Sequence, residues 1–135
     1  TYQPCMWFEF FPDRYSYGVG IFGTDPTVMN LYRDHMKQNQ KRYKAAILKA
    51  EKFGALPDIF PYKKPKPGYD EIDKSLRPYY NTKFLYFCKH SFEFENLYSD
   101  KIYYELSEAI NAFAPLYKLL LEVHENSIEK GDFNE

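Results

Sequence analysis

Residues 5–23 read CMWFEFFPDRYSYGVGIFG, and the fold turns on how this stretch is understood. Its last six residues, from Gly18 to Gly23, fit G-x-G-x-x-G, the pattern of loops that cradle a dinucleotide pyrophosphate. The first half alternates with period two. Cys5, Trp7, Glu9 and Phe11 fall on one face, and Met6, Phe8 and Phe10 on the other, as in a strand. Pro12, Asp13 and Arg14 then read as a turn, and YSYGVGIF as the returning strand. A three-residue loop over Pro12–Arg14 sets the pairs Phe11–Tyr15, Glu9–Tyr17, Phe8–Gly18, Trp7–Val19 and Met6–Gly20. Gly18 and Gly20 then lie opposite large side chains that fold over them and restore packing.

The glycines therefore need no ligand. In the dinucleotide fingerprint they lead straight into a helix inside a parallel β-α-β unit. Here the preceding strand returns from a hairpin. The helix start comes later, with Thr24 or Asp25 as N-cap and Pro26 as the first helical residue. The fingerprint also needs a strand ending in an acid about 20 residues on, whereas DHMKQNQKRYKAAILKAEKF (34–53) is helical in pattern.

Beyond Pro26 the apolar positions Val28, Met29, Tyr32 and Met36 recur at helical spacing. The pattern loosens at KQNQ and resumes at Tyr43, Ala46, Ile47, Ala50 and Phe53, with Gly54 as a stop. This predicts two helices or one bent helix. Residues 55–82 hold Pro57, Pro61, Pro65, Pro67 and Pro78 and form an irregular connection, with one short helix at YDEIDKSL. KFLYFCKHSFEF is a third strand. Ser99 or Asp100 caps a long amphipathic helix with Ile102, Leu106, Ile110, Phe113, Tyr117 and Leu120 on its apolar face, kinked or restarted at Pro115. The expected class is α+β: a small antiparallel sheet, made of an N-terminal hairpin plus a later strand, packed by long amphipathic helices. Residues 1–125 form a single domain, and 126–135 a polar tail.

The 135 residues, 44% hydrophobic and 20% aromatic, suffice for one core without metals or disulfides. Two cysteines, Cys5 and Cys88, are too few for a secreted disulfide framework and point to a reducing, cytoplasmic compartment. The sequence has no 18-residue apolar run, so no membrane partner is expected. The first residue is not Met and leads at once into strand-like sequence, which reads as a cut through a larger protein. A hairpin and one strand make a thin sheet, and a missing N-terminal segment is expected to pack on it.

The net charge of −1 conceals a segregation: residues 33–66 carry ten Lys/Arg against three acids, and residues 91–135 three Lys against ten acids. Pairing of the two halves within the molecule is the expected use. Nucleic-acid binding through residues 37–66 is disfavoured, because the lysines are not interleaved with aromatics on one helical face and the acidic half repels phosphate.

No metal or cofactor site is expected. His35, His90 and His124 are far apart, and Cys88-x-His90 is not a zinc spacing. Cys88 reads as an inert thiol rather than a nucleophile. The candidate polar cluster is Glu9, Tyr17 and Arg33. Glu9 shares a face with Trp7 and Phe11 and needs a partner. Tyr17 offers a hydroxyl across the hairpin, and Arg33, between Met29 and Met36, offers charge. The plainer reading is a structural ion pair at the rim of the core.

The stretch WFEFFPDRYSYGVGIFGTDPTVMNLYRDHM (7–36), then YKKPKPGYD and AFAPLYKLLLE, resembles an uncharacterised bacterial family, domain of unknown function 2461, over most of the chain. Gly20 and Arg33 fall on matching positions. The resemblance implies an N-terminal part carrying Asn-Asn…Trp-Phe, Arg-Asp-x-Arg-Phe and Lys-x-Pro-Tyr-Lys motifs, absent here, and brings no known activity. Two functions are left: a non-catalytic binding or scaffolding domain, which is favoured, or the C-terminal half of an enzyme whose catalytic motifs lie upstream.

Overall fold

The computed structural model describes residues 3–21 and 25–129. The order is β1 (Cys5–Phe10), β2 (Tyr15–Ile21), α1 (Pro26–Gln38), α2 (Gln40–Phe53), β3 (Leu56–Pro57), α3 (Arg77–Tyr80), β4 (Leu85–Ser91) and α4 (Lys101–Glu129), with 3-10 turns at Tyr69–Glu71 and Phe94–Tyr98. The strands form one antiparallel sheet in the order β1-β2-β4-β3. This is the α+β class expected, with one strand more: β3 is a two-residue pairing inside the proline-rich connection.

The hairpin register differs from the expected one by a residue. Trp7 pairs with Gly18, Phe8 with Tyr17, Glu9 with Ser16 and Phe10 with Tyr15. The cause is the turn. Phe11 leaves the strand and donates its N–H to the Arg14 carbonyl at 2.8 Å. The loop thus has four residues rather than three, and the Arg14 guanidinium lies 4.2 Å from the Phe11 ring centre across it. Because side chains alternate with period two, a slip of one exchanges the faces of the partners. Tyr15, Tyr17, Val19 and Ile21 thus join Met6 and Phe8 on the inner face, and Glu9 stays with Trp7 and Gly18 on the outer one.

The inner face carries the core. Tyr15, Tyr17, Val19 and Ile21 of β2 and Leu85 and Phe87 of β4 are all at most 2% exposed. Tyr17 packs on Phe53 of α2 and Phe113 of α4 at ring distances of 6.2 and 6.4 Å. Tyr79 of α3 stacks on Phe87 at 5.6 Å. Gly18 and Gly20 lie in the middle of the sheet, paired to β1 on one side and to Cys88 and Tyr86 of β4 on the other. Their backbone groups serve the ladder, as the hairpin reading requires. Gly23, the third glycine of the pattern, lies outside the described residues.

Asp25 caps α1 by accepting the Thr27 N–H at 2.8 Å, with Pro26 first in the helix; Thr24, the alternative cap, lies outside the described residues. The chain from Pro26 to Phe53 is two helices that break at Asn39. Gly54 ends α2 in the left-handed region at φ 106°, where a side chain would crowd the backbone. The short helix of the connection falls at Arg77–Tyr80, after YDEIDKSL, which holds a 3-10 turn instead. Helix α4 continues through Pro115 to Glu129, past the expected boundary at 125, and Ser127 is buried against it with its hydroxyl on the Val123 carbonyl. Its buried face holds Ala109, Ala112, Phe113, Leu116, Leu119, Leu120 and Val123, while Ile110 is 57% exposed.

Candidate functional site

The structure does not bring Glu9, Tyr17 and Arg33 together. Tyr17 lies in the core, 2% exposed. Its hydroxyl donates to Glu105 Oε1 at 2.9 Å, beside Tyr15, which donates to Oε2 at 2.5 Å. Burial first, and Glu105 second, push the Tyr17 hydroxyl far above its usual range. The expected Glu9–Arg33 pairing thus fails because the register puts Glu9 on the outer face.

Glu9 is exposed there, on a cavity of 440 Å³ that it shares with Trp7, Asp58, Tyr86, Cys88 and His90. Tyr86 donates to Asp58 at 2.8 Å, and the buried Ser16 hydroxyl lies 2.5 Å from His90 Nδ1. Burial, then the charges of Glu9 and Asp58, push the Cys88 thiol up to about 11. At neutral pH it is a thiol, not the thiolate that nucleophilic chemistry needs.

Arg33 is built into a different place. Spaced four residues from Met29 and three from Met36, it sits on the buried face of α1 and is 3% exposed. Its Nε donates to the Tyr80 carbonyl at 2.8 Å, Nη2 to the Thr82 carbonyl at 2.9 Å, and Nη1 to Asn30 Oδ1 at 2.8 Å. All three acceptors are neutral. A guanidinium has five N–H groups; one on each Nη therefore has no acceptor among the described residues. Arg33 lines a cavity of 420 Å³ with Asn30, Asp34, Lys66, Pro67 and Tyr80.

The wall of that cavity is the connection that the sequence leaves irregular. Pro61 bridges to Thr82, Tyr62 N–H reaches the Asn81 carbonyl at 3.1 Å, and Lys83 N–H reaches the Phe60 carbonyl at 2.9 Å. The Asn81 side chain accepts the Lys66 N–H at 3.0 Å, and Tyr80 donates to the Pro67 carbonyl. These bonds hold Tyr62 at the centre of a group of cations. Arg33 Cζ lies 5.1 Å from its ring centre, Lys66 Nζ 4.0 Å and Lys83 Nζ 5.8 Å. Each distance is within cation–π range.

Elsewhere the basic half is neutralised in part, and Lys41, Lys49 and Lys52 of α2 form no ion pair among the described residues. Arg42 and His35 meet Glu122 of the acidic half at 2.8 and 3.0 Å, whereas Lys37 and Lys44 pair with Glu71 and Asp73 of the connection. The two charged halves thus join at Glu122, and Lys63, Lys64, Lys66 and Lys83 form no ion pair among the described residues. Lys66, Lys83 and Tyr62 are the site residues that sequence reasoning missed. The signal lay in YKKPKPGYD, where a tyrosine leads a run of lysines and prolines. No group of three or more His, Cys, Asp or Glu side chains among the described residues forms a metal centre. None of the described helices is long and apolar enough to cross a membrane.

Fold and site together define a small α+β domain with a cation-walled cavity beside, not on, its sheet. The chain belongs to the conserved hypothetical protein family DUF2461, which it matches over residues 1–119. No curated protein and no solved structure matches it.

Proposed function

We propose that this chain is a non-catalytic binding domain that takes an anionic group, such as a phosphate or carboxylate, in the Arg33 cavity. The observation that carries this reading is a cationic side chain, 3% exposed, with three neutral acceptors and N–H groups to spare. A buried charge is costly unless it is paired, and an anion in the 420 Å³ cavity supplies the pair. Lys66 adds a second cation on the wall, and the sole carboxylate among the lining residues is Asp34. The free thiols Cys5 and Cys88 support a reducing, cytoplasmic setting.

The test is a thermal melt in sodium phosphate against sodium chloride at equal ionic strength. A ligand at 100 times its Kd adds about 2.7 kcal/mol, which raises Tm by roughly 10 °C in a domain of this size. Lys66→Gln is expected to reduce the rise, and Asp34→Asn to enlarge it by removing a like charge. Equal melting curves in the two salts refute the proposal.

One observation favours a second reading, in which an upstream segment packs on the outer sheet face and completes an enzyme there. Glu9, Asp58 and His90 all line the 440 Å³ cavity on that face, and His90 is held by Ser16. Hydrogen exchange on the protein with and without additional upstream sequence decides it. Protection of β1 that does not change counts against it.

A further inference from the structure

Resting on the anion-binding reading above, we infer that the ligand is a small molecule with at least two anionic groups, of the diphosphate class. One group occupies the Arg33 cavity, and the other lies in the lysine groove beyond Lys66. That groove, of 630 Å³, runs along residues 61–67 and is also lined by Lys83; Lys66 and Pro67 form a wall common to it and to the cavity. Volumes of 420 and 630 Å³ suit whole organic ligands rather than one tetrahedral ion.

The charges lead to the same conclusion. Arg33, Lys66 and Lys83 all lie within 5.8 Å of the Tyr62 ring centre, with no acid paired to any of them among the described residues. The Tyr62 ring offsets only part of this charge, and a single phosphate on Arg33 does not reach the groove that Lys83 lines. The arrangement is also preorganised. The Lys66 and Lys83 backbones are tied to Asn81 and Phe60, and Pro61, Pro65 and Pro67 stiffen the loop, so little entropy is lost on binding.

A long polyanion fits less well. Asp34 lies on the cavity and Glu71 beside Lys37, so the positive surface ends within a few residues of Arg33. A polymer needs a continuous basic track.

Calorimetric titration with orthophosphate, pyrophosphate and a heparin length series tests the inference at fixed ionic strength. Pyrophosphate is expected to bind at least tenfold more tightly than orthophosphate. Lys83 is exposed, so Lys83→Gln leaves the fold intact; it is expected to abolish that preference, weakening pyrophosphate binding at least tenfold more than orthophosphate binding. Lys101→Gln on α4 controls for general charge attraction and is expected to change nothing. Equal affinities for the two phosphates overturn this inference alone, and so does a Lys101→Gln effect as large as that of Lys83→Gln. Failure of both phosphates to bind removes the anion-binding reading itself. Affinity that climbs steadily with heparin length identifies a polymer site and overturns the small-ligand class.

Discussion

Gly18 is held between Trp7 of β1 and Cys88 of β4, in the centre of the sheet. A methyl group added there overlaps the Phe87 carbonyl oxygen and the Trp7 indole ring. The carbonyl belongs to a hydrogen-bonded strand and cannot retreat, so the overlap is relieved by displacing backbone. Gly18→Ala is therefore expected to cost about 3 kcal/mol, well above the roughly 1 kcal/mol of simple crowding against a flexible side chain. Urea denaturation measures this directly. A loss below about 1 kcal/mol contradicts the close approach and shows that Trp7 swings away. The presence of large neighbours around this glycine was legible from alternation alone. Which neighbour covers it was not, because that depends on the length of the turn.

Between elements, one carboxylate joins three helices. Glu122 of α4 receives Arg42 of α2 and contacts His35 of α1, whose other ring nitrogen lies 2.8 Å from the Tyr43 hydroxyl. The Arg42 hydrogen bonds, then that of His35, hold the Glu122 carboxyl at about 2, against its ordinary 4.5. The folded state thus binds fewer protons than the unfolded state in this window. The stabilisation is complete above pH 4.5 and is lost as pH falls towards 2. Because the carboxylate is 39% exposed, solvent screening makes the loss smaller than the shift implies. Glu122→Gln is expected to lower stability at pH 7 and to flatten that part of the profile. Urea midpoints between pH 2 and 6 check it, and parallel profiles for the two proteins refute it. The helices themselves were legible from apolar periodicity, with Thr24 or Asp25 as the first cap and Gly54 as the stop. Their junction was not, since a run of charges does not name its partners.

Across the molecule, Glu9 and Arg33 belong to separate regions, the outer sheet face and the joint of α1 with residues 80–83, and they share no partner. Glu9→Gln is expected to be nearly neutral, as for exposed residues generally. Arg33→Met is expected to cost about 2–3 kcal/mol, because it leaves the Tyr80 and Thr82 carbonyls without their donor. The double change should equal the sum within about 0.5 kcal/mol. A four-member set of melts measures the coupling, and a value above about 1 kcal/mol contradicts this separation. The molecule also distributes charge by region. Along α1 and α2, Lys37, Arg42 and Lys44 are paired, Lys41, Lys49 and Lys52 form no ion pair among the described residues, and Lys66 and Lys83 stand at Tyr62.

Composition, alternation and helical periodicity by themselves determined the α+β class, the hairpin, the helical character of the chain after Pro26, and the long C-terminal helix. The order of motifs pointed to the family. These are local properties: each depends on residues a few positions apart, and burial rewards them wherever the element finally packs. The tertiary structure alone decided the hairpin register, the fate of Arg33 and the site around Tyr62. In the register, the turn spans four residues from Phe11 to Arg14 rather than three, which exchanged the faces of the partners. At Arg33, the partners lie 47 and 49 residues away, on carbonyls that no side-chain pattern reveals. A site assembled from α1, a proline-rich loop and the end of α3 exists only once long-range backbone hydrogen bonds have closed that loop, and sequence spacing carries no record of them.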